Sequence, residues 1–198
     1  MGILFVSLVG MQEVTATDEY ETTMLTSDMR AVIEAVHLCF AATVTPEGRP
    51  NLSPKGTIGV WDDTHLYFFD IASPGTRANL ERSPWMELNV VEQLSRRGYR
   101  FFGRTELHSE GSAVYGEAMR RVYGDAPPTY PTTAVVLLAV ERAAPLLSPA
   151  YWRVADETAL REIWRVRREE QDKNFEAHLA LVGPVRVAGS AATAKSRP

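Results

Sequence analysis

Two stretches of this chain carry side chains whose types and spacing suit the holding of a polar, anionic ligand. The first is Arg49-Pro50-Asn51-Leu52-Ser53-Pro54-Lys55-Gly56-Thr57. Alternate side chains of a strand share a face, so Asn51, Ser53, Lys55 and Thr57 form one polar row. Gly56, beside that row, allows a flat ring or a backbone to approach closely. An edge strand with its polar face in water gives the same pattern. The second stretch is Ser73-Pro74-Gly75-Thr76-Arg77-Ala78-Asn79-Leu80. Here a strand ends, a glycine turns the chain and a helix begins. Free N–H groups at a helix start bind anions, and Thr76 and Arg77 add a hydroxyl and a guanidinium. Phosphate is the natural guest, with an ordinary helix cap and a solvated arginine as the plainer alternative.

The usual catalytic signatures are missing. There is no Gly-x-Gly-x-x-Gly after a strand, no phosphate-binding Gly-x-x-x-x-Gly-Lys-Ser/Thr, no Gly-x-Ser-x-Gly elbow and no His-Glu-x-x-His helix. The four histidines lack ligand spacing, and the one cysteine, Cys39, excludes an intrachain disulfide and a four-cysteine metal site. No metal site is expected. Cys39 lies inside an apolar strand and reads as a core filler ahead of a nucleophile. A single thiol also suits the cytoplasm.

The elements that must position the two stretches follow from periodicity and turn chemistry. The chain has 198 residues, 45% hydrophobic and 23% charged, which suits one compact domain with loose ends. Ser27 or Asp28 caps a helix to about Val36. Strands are expected at Leu38–Thr45, Pro50–Trp61 and His65–Ile71, joined as an antiparallel meander. A helix at Thr76–Arg82 leads to strands at Trp85–Glu92 and Tyr99–His108. A helix at Glu110–Tyr123 and a proline-rich loop precede a sixth strand, Thr133–Glu141. Its apolar run from Ala134 to Val140 reads as buried on both faces. A charged helix from Asp156 to about Leu181 closes the ordered part. The reading is mainly β with helices (α+β): a six-stranded antiparallel split β-barrel with peripheral helices.

The expected divisions are an extended segment at 1–25, the barrel at 26–150, a helical extension at 151–185 and a tail at 186–198. Residues 1–28 hold five acidic residues and no Lys or Arg, against a whole-chain net charge of -4. Any basic pocket is therefore local, and nothing marks a nucleic-acid binder. The apolar start, Met1 to Gly10, is too short to span a bilayer, and no membrane association is expected.

Taken together the patches resemble the pyridoxamine 5′-phosphate oxidase-like family of FMN-binding split barrels. The resemblance covers about Met29 to Trp164. It rests on Pro46-Glu47-Gly48-Arg49-Pro50, on Asn51 to Gly56, on Thr76-Arg77-Ala78-Asn79-Leu80-Glu81-Arg82-Ser83-Pro84, on the Gly103 strand and on Ser148-Pro149-Ala150-Tyr151. It implies a homodimer with FMN at the interface and an oxidoreductase acting on a small organic substrate. The implied cofactor residues are Asn51, Ser53, Pro54, Lys55, Gly56, Thr57, Thr76, Arg77, Asn79 and Arg104, the last reaching in from a partner chain. The flavin would accept the hydride itself, so no protein acid or base is needed.

Two departures stand out. Gly75 occupies a place where relatives often carry a cation, and no counterpart of the substrate-gripping C-terminal segment of true pyridoxamine phosphate oxidases follows. Vitamin B6 oxidation is not expected. The added C-terminal helix is either a solvated cover for the barrel or a lid, with Tyr151 or Trp152 stacking on substrate. The rival readings are a non-catalytic flavin or haem binder, with His37, His65 or His108 as haem ligand, an F420-dependent reductase, and a barrel without cofactor.

Overall fold

The structure, a computed structural model, describes residues 24–126 and 130–183. The expectations for the extended start and the loose tail lie outside the described residues. The chain divides between Pro149 and Ala150 into two compact units.

The first unit opens with α1 (Ser27–Val36), whose N-cap is Thr26 rather than Ser27 or Asp28: the Thr26 hydroxyl accepts from the Met29 N–H. The helix buries Met29, Val32 and Ile33. Then follow β1 (Cys39–Val44), β2 (Pro50–Lys55), β3 (Gly59–Val60), β4 (His65–Asp70), α2 (Pro74–Arg82), β5 (Trp85–Glu92), β6 (Arg97–Ser109), α3 (Ala113–Tyr123) and β7 (Ala134–Leu147). Seven strands form one antiparallel sheet in the order β2-β1-β5-β6-β7-β4-β3.

Two expectations change. The single strand Pro50–Trp61 is two strands, broken at Gly56–Ile58. The meander is also replaced, because β2 pairs only with β1 and β3 only with β4. These two strands are the edges of the sheet, yet only residues 56–58 separate them in sequence. Four Cα–Cα steps reach about 15 Å at most. The sheet must therefore curl until its edges nearly meet, which makes it a split barrel.

The inward faces build the main core, which includes Ile33, Cys39, Leu66, Phe68, Leu88, Phe101, Val136 and Leu138. The opposite face of β4 and β7 buries Tyr67, Phe69, Val135 and Leu137 with Ala118 of α3. β7 is thus covered on both sides over its apolar run, as its unbroken hydrophobicity requires. It also runs on to Leu147, pairing with β6 past a register shift at Phe102/Gly103.

Asp28 ties α1 to β6, accepting from Arg97 Nη1 at 2.7 Å and from the Tyr99 hydroxyl at 2.5 Å. The Arg97 hydrogen bond, helped by Tyr99 and opposed by partial burial, holds this carboxyl below the usual range. A depressed folded value contributes stability above the ordinary carboxyl pKa and loses it as pH falls. Asp28→Asn is expected to be less stable than the wild type at neutral pH, with the gap closing below about pH 4. Urea unfolding at neutral and acidic pH checks this, and a gap that persists in acid would contradict it.

The second unit holds a short 3-10 turn continuing from Pro149 to Trp152 and then α4 (Glu157–Val182). Asp156 caps α4 by accepting from the Thr158 and Ala159 N–H groups. Arg165 bridges Glu162 and Glu169, and Arg168 pairs with Asp172 at 2.8 Å. These one-turn pairs suit a solvated helix. No helix among the described residues is long and apolar enough to cross a membrane.

Candidate functional site

The polar row of β2 faces inward. Along Pro50–Lys55 exposure alternates, with Leu52 and Pro54 outward and Asn51, Ser53 and the buried Lys55 inward. Pairing carries this orientation from Cys39 and Ala41 of β1, which are fully buried opposite Lys55 and Ser53. Lys55 Nζ donates to Ser53 Oγ at 2.9 Å and sits 5.6 Å from the centre of the Phe68 ring. Burial pulls the Lys55 ammonium below its ordinary pKa, and the nearby Asp70 charge opposes that pull. Cys39, its pairing partner, is pushed up to about 12 by burial, so its thiol is inert in the folded chain. Thr57 leaves the row and accepts from the Phe69 N–H at 2.9 Å. A side chain at Gly56 would meet open space.

A hydroxyl–amide network locks α2 onto this row. Thr43 Oγ1 accepts from Asn51 Nδ2 and from the buried Asn79 Nδ2, each at 3.0 Å. Asn51 also reaches Thr76 Oγ1 at 3.5 Å. Asn79 thereby holds α2 against β1.

The start of α2 is built unusually. Ala72 turns the chain with a left-handed φ of 51°. Ser73 is the N-cap, but its hydroxyl caps nothing and donates instead to Asp70. Pro74 lacks an N–H, and the Gly75 and Thr76 N–H groups have no acceptor among the described residues. They are two open donors at the positive end of a helix. Arg77 stands beside them, with Nη1 3.7 Å from Asp70 and Nε 2.9 Å from Glu81. Asp70, which the sequence reading did not single out, is buried and also accepts from the Thr133 hydroxyl at 2.7 Å. A carboxylate closing a strand just before a Ser-Pro helix start was the available signal.

Arg104 is not part of this group. It lies on the outward side of β6, its guanidinium 5.4 Å from the Trp85 ring, which stacks on Phe102 at 5.4 Å. It lines a cavity of about 400 Å³ with His65, Thr105, Glu106, Leu137, Ala139 and Glu141. Of the other histidines, His37 is exposed at the end of α1 and His108 Nε2 lies 3.2 Å from Glu106. In the second unit Trp152 is 86% exposed and Tyr151 half-buried. Among the described residues no cluster of His, Cys, Asp and Glu could hold a metal ion.

Comparison with known proteins identifies the family of this fold. HupZ of Group A Streptococcus is 32% identical, with a TM-score of 0.56, covering 63% of this chain and 96% of that one. A histidine-to-alanine variant of HupZ matches at 32% identity and a TM-score of 0.55, covering 62% of this chain and all of that one. A Lactobacillus delbrueckii protein described as a pyridoxamine 5′-phosphate oxidase shares the fold at 23% identity and a TM-score of 0.56, over 65% of this chain and 99% of that one. No curated protein sequence matches significantly. The sequence profile described as Pyridoxamine 5′-phosphate oxidase matches residues 25–146, the whole barrel, and the chain belongs to that family.

Proposed function

We propose that the chain is an FMN-dependent oxidoreductase that works as a homodimer on a small organic substrate. One observation carries the reading: the open Gly75 and Thr76 N–H groups at the start of α2, with Arg77 beside them. This donor set fits a phosphate monoester. Bound FMN would supply hydride transfer, so the protein itself need contribute no acid or base. The α2 start holds the phosphate, with Arg77 exchanging Asp70 and Glu81 for it. Lys55 adds positive charge from inside the barrel, and the Asn51–Thr43–Asn79 network keeps α2 against β2.

The outward side of β1, β2 and β5 leaves Phe40, Val44, Leu52 and Trp85 exposed together, a patch that suits a second copy of the chain. Arg104 lies on that outward side, which supports its meeting the cofactor of a second protomer. A cytoplasmic setting suits the single reduced thiol.

The test is an absorbance spectrum of the purified protein followed by FMN titration. Tight uptake is expected, weakened about tenfold or more in Arg77→Ala through loss of a charge-assisted contact. A Soret band would transfer the reading to haem, with His65 in the outer cavity as the first ligand to replace. Uptake of F420 in place of FMN would make it a deazaflavin enzyme. No chromophore and no FMN uptake would sink the flavoenzyme.

A further inference from the structure

We propose that Asp70 sets the phosphate affinity of the α2 cradle, as an internal anion from which an incoming phosphate must take Arg77. The inference rests on the FMN reading above. The Asp70 side chain is only 5% exposed, and three groups face it. The Ser73 and Thr133 hydroxyls donate to its two oxygens, and Arg77 Nη1 approaches Oδ2 at 3.7 Å. The Lys55 ammonium adds its field from the barrel interior. The carboxylate thus holds the hydroxyl that would otherwise cap α2 and part of the guanidinium beside the helix start. It leaves the Gly75 and Thr76 N–H groups open, so the cradle is present but already carries a negative charge next to it.

A phosphate monoester brings a charge of about -1.5 to -2 at neutral pH. Beside a buried carboxylate, where screening is weak, the two anions repel. Arg77 cannot serve both fully. The effect is confined to the phosphate, because the ring and ribityl chain of a flavin are uncharged. Asp70 is therefore a specificity-determining residue: it narrows the preference of this chain for FMN over riboflavin.

The experiment compares FMN and riboflavin binding to the full chain, for the wild type, Asp70→Asn and Arg77→Ala, by flavin fluorescence titration. Asp70→Asn keeps the shape and removes the charge. It is expected to tighten FMN by about tenfold or more, a relief of like-charge repulsion, while riboflavin changes by less than about twofold. Arg77→Ala is expected to move the FMN-to-riboflavin ratio the other way. Thermal unfolding without flavin shows whether Asp70→Asn folds, and Asp70→Ser, which keeps a hydroxyl toward Ser73 and Thr133, is read if it does not. An unchanged ratio in the neutral variants, with FMN still bound, overturns the role of Asp70 alone. If neither the wild type nor the neutral variants bind FMN, the flavin reading falls and this inference with it.

Discussion

Gly103→Ala is expected to unfold the barrel or leave it severely destabilised. Gly103 lies opposite Val140 at the register shift between β6 and β7. A Cβ there would stand 1.9 Å from the Ala139 carbonyl oxygen, 2.9 Å from its carbon and 3.1 Å from the Glu141 nitrogen. All three are backbone atoms, so no side-chain rotation relieves the clash and the two longest strands must part. Overpacking of this kind costs about 3 kcal/mol or more, a large share of the roughly 5–15 kcal/mol that holds a domain together. Gly116 in α3 is the control, because a Cβ there meets nothing within 4 Å. Gly116→Ala should be neutral or stabilising by up to about 1 kcal/mol. Urea denaturation of both variants checks the pair, and a Gly103→Ala protein within about 1 kcal/mol of the wild type would refute the strand contact.

Phe40→Glu is expected to keep the proposed homodimer apart as monomers while leaving each barrel folded. Phe40 points away from the core, pairs with Pro54 on one side and Asn89 on the other, and is 45% exposed. Leu52, at 65% exposure, and Val44, at 51%, lie on the same side. A carboxylate at the centre of such a patch must be desolvated for two copies to meet. Losing a central aromatic anchor costs about 2 kcal/mol or more, which weakens association about thirtyfold. Light scattering after gel filtration reads the mass, and far-UV circular dichroism confirms the fold. A wild type that is already monomeric at working concentration would remove the homodimer, and an unchanged dimeric mass in the variant would place the interface elsewhere.

Much of this was legible in residues with strong local meaning. Pro74 and Gly75 after Ser73 mark a helix start, and the Ala134–Val140 run marks a strand covered on both sides. Cys39 reads correctly as core. The sheet order was not legible, because turn chemistry tells which strands are consecutive and not which edges meet. Gly56 and Gly59 looked like positions within one strand, whereas Gly59 lies under the Tyr67 ring and the chain turns before it. Alternation put Asn51, Ser53 and Lys55 on one face but did not say that the face was the inside. At the helix start the open backbone donors were readable, but the full set of partners around Asp70 was not. Asp70 reaches Thr133 only after β4 and β7 have paired.

The three residues that carry the chain from one edge of the sheet to the other also bear on how the barrel assembles. The pairs β1–β2, β3–β4 and β5–β6 join neighbours in sequence, so their loops close quickly and at little entropic cost. The β4–β7 ladder joins segments separated by α2, β5, β6 and α3. Only that ladder unites the small β3–β4 hairpin with the rest of the sheet. Its long loop makes it the slow pairing, in keeping with the dependence of folding speed on contact order. The linker Gly56–Ile58 keeps β4 tethered to the β1–β2 hairpin whether or not β7 has paired. A brief link across an open seam thus holds within covalent reach two edges that no ladder hydrogen bond joins.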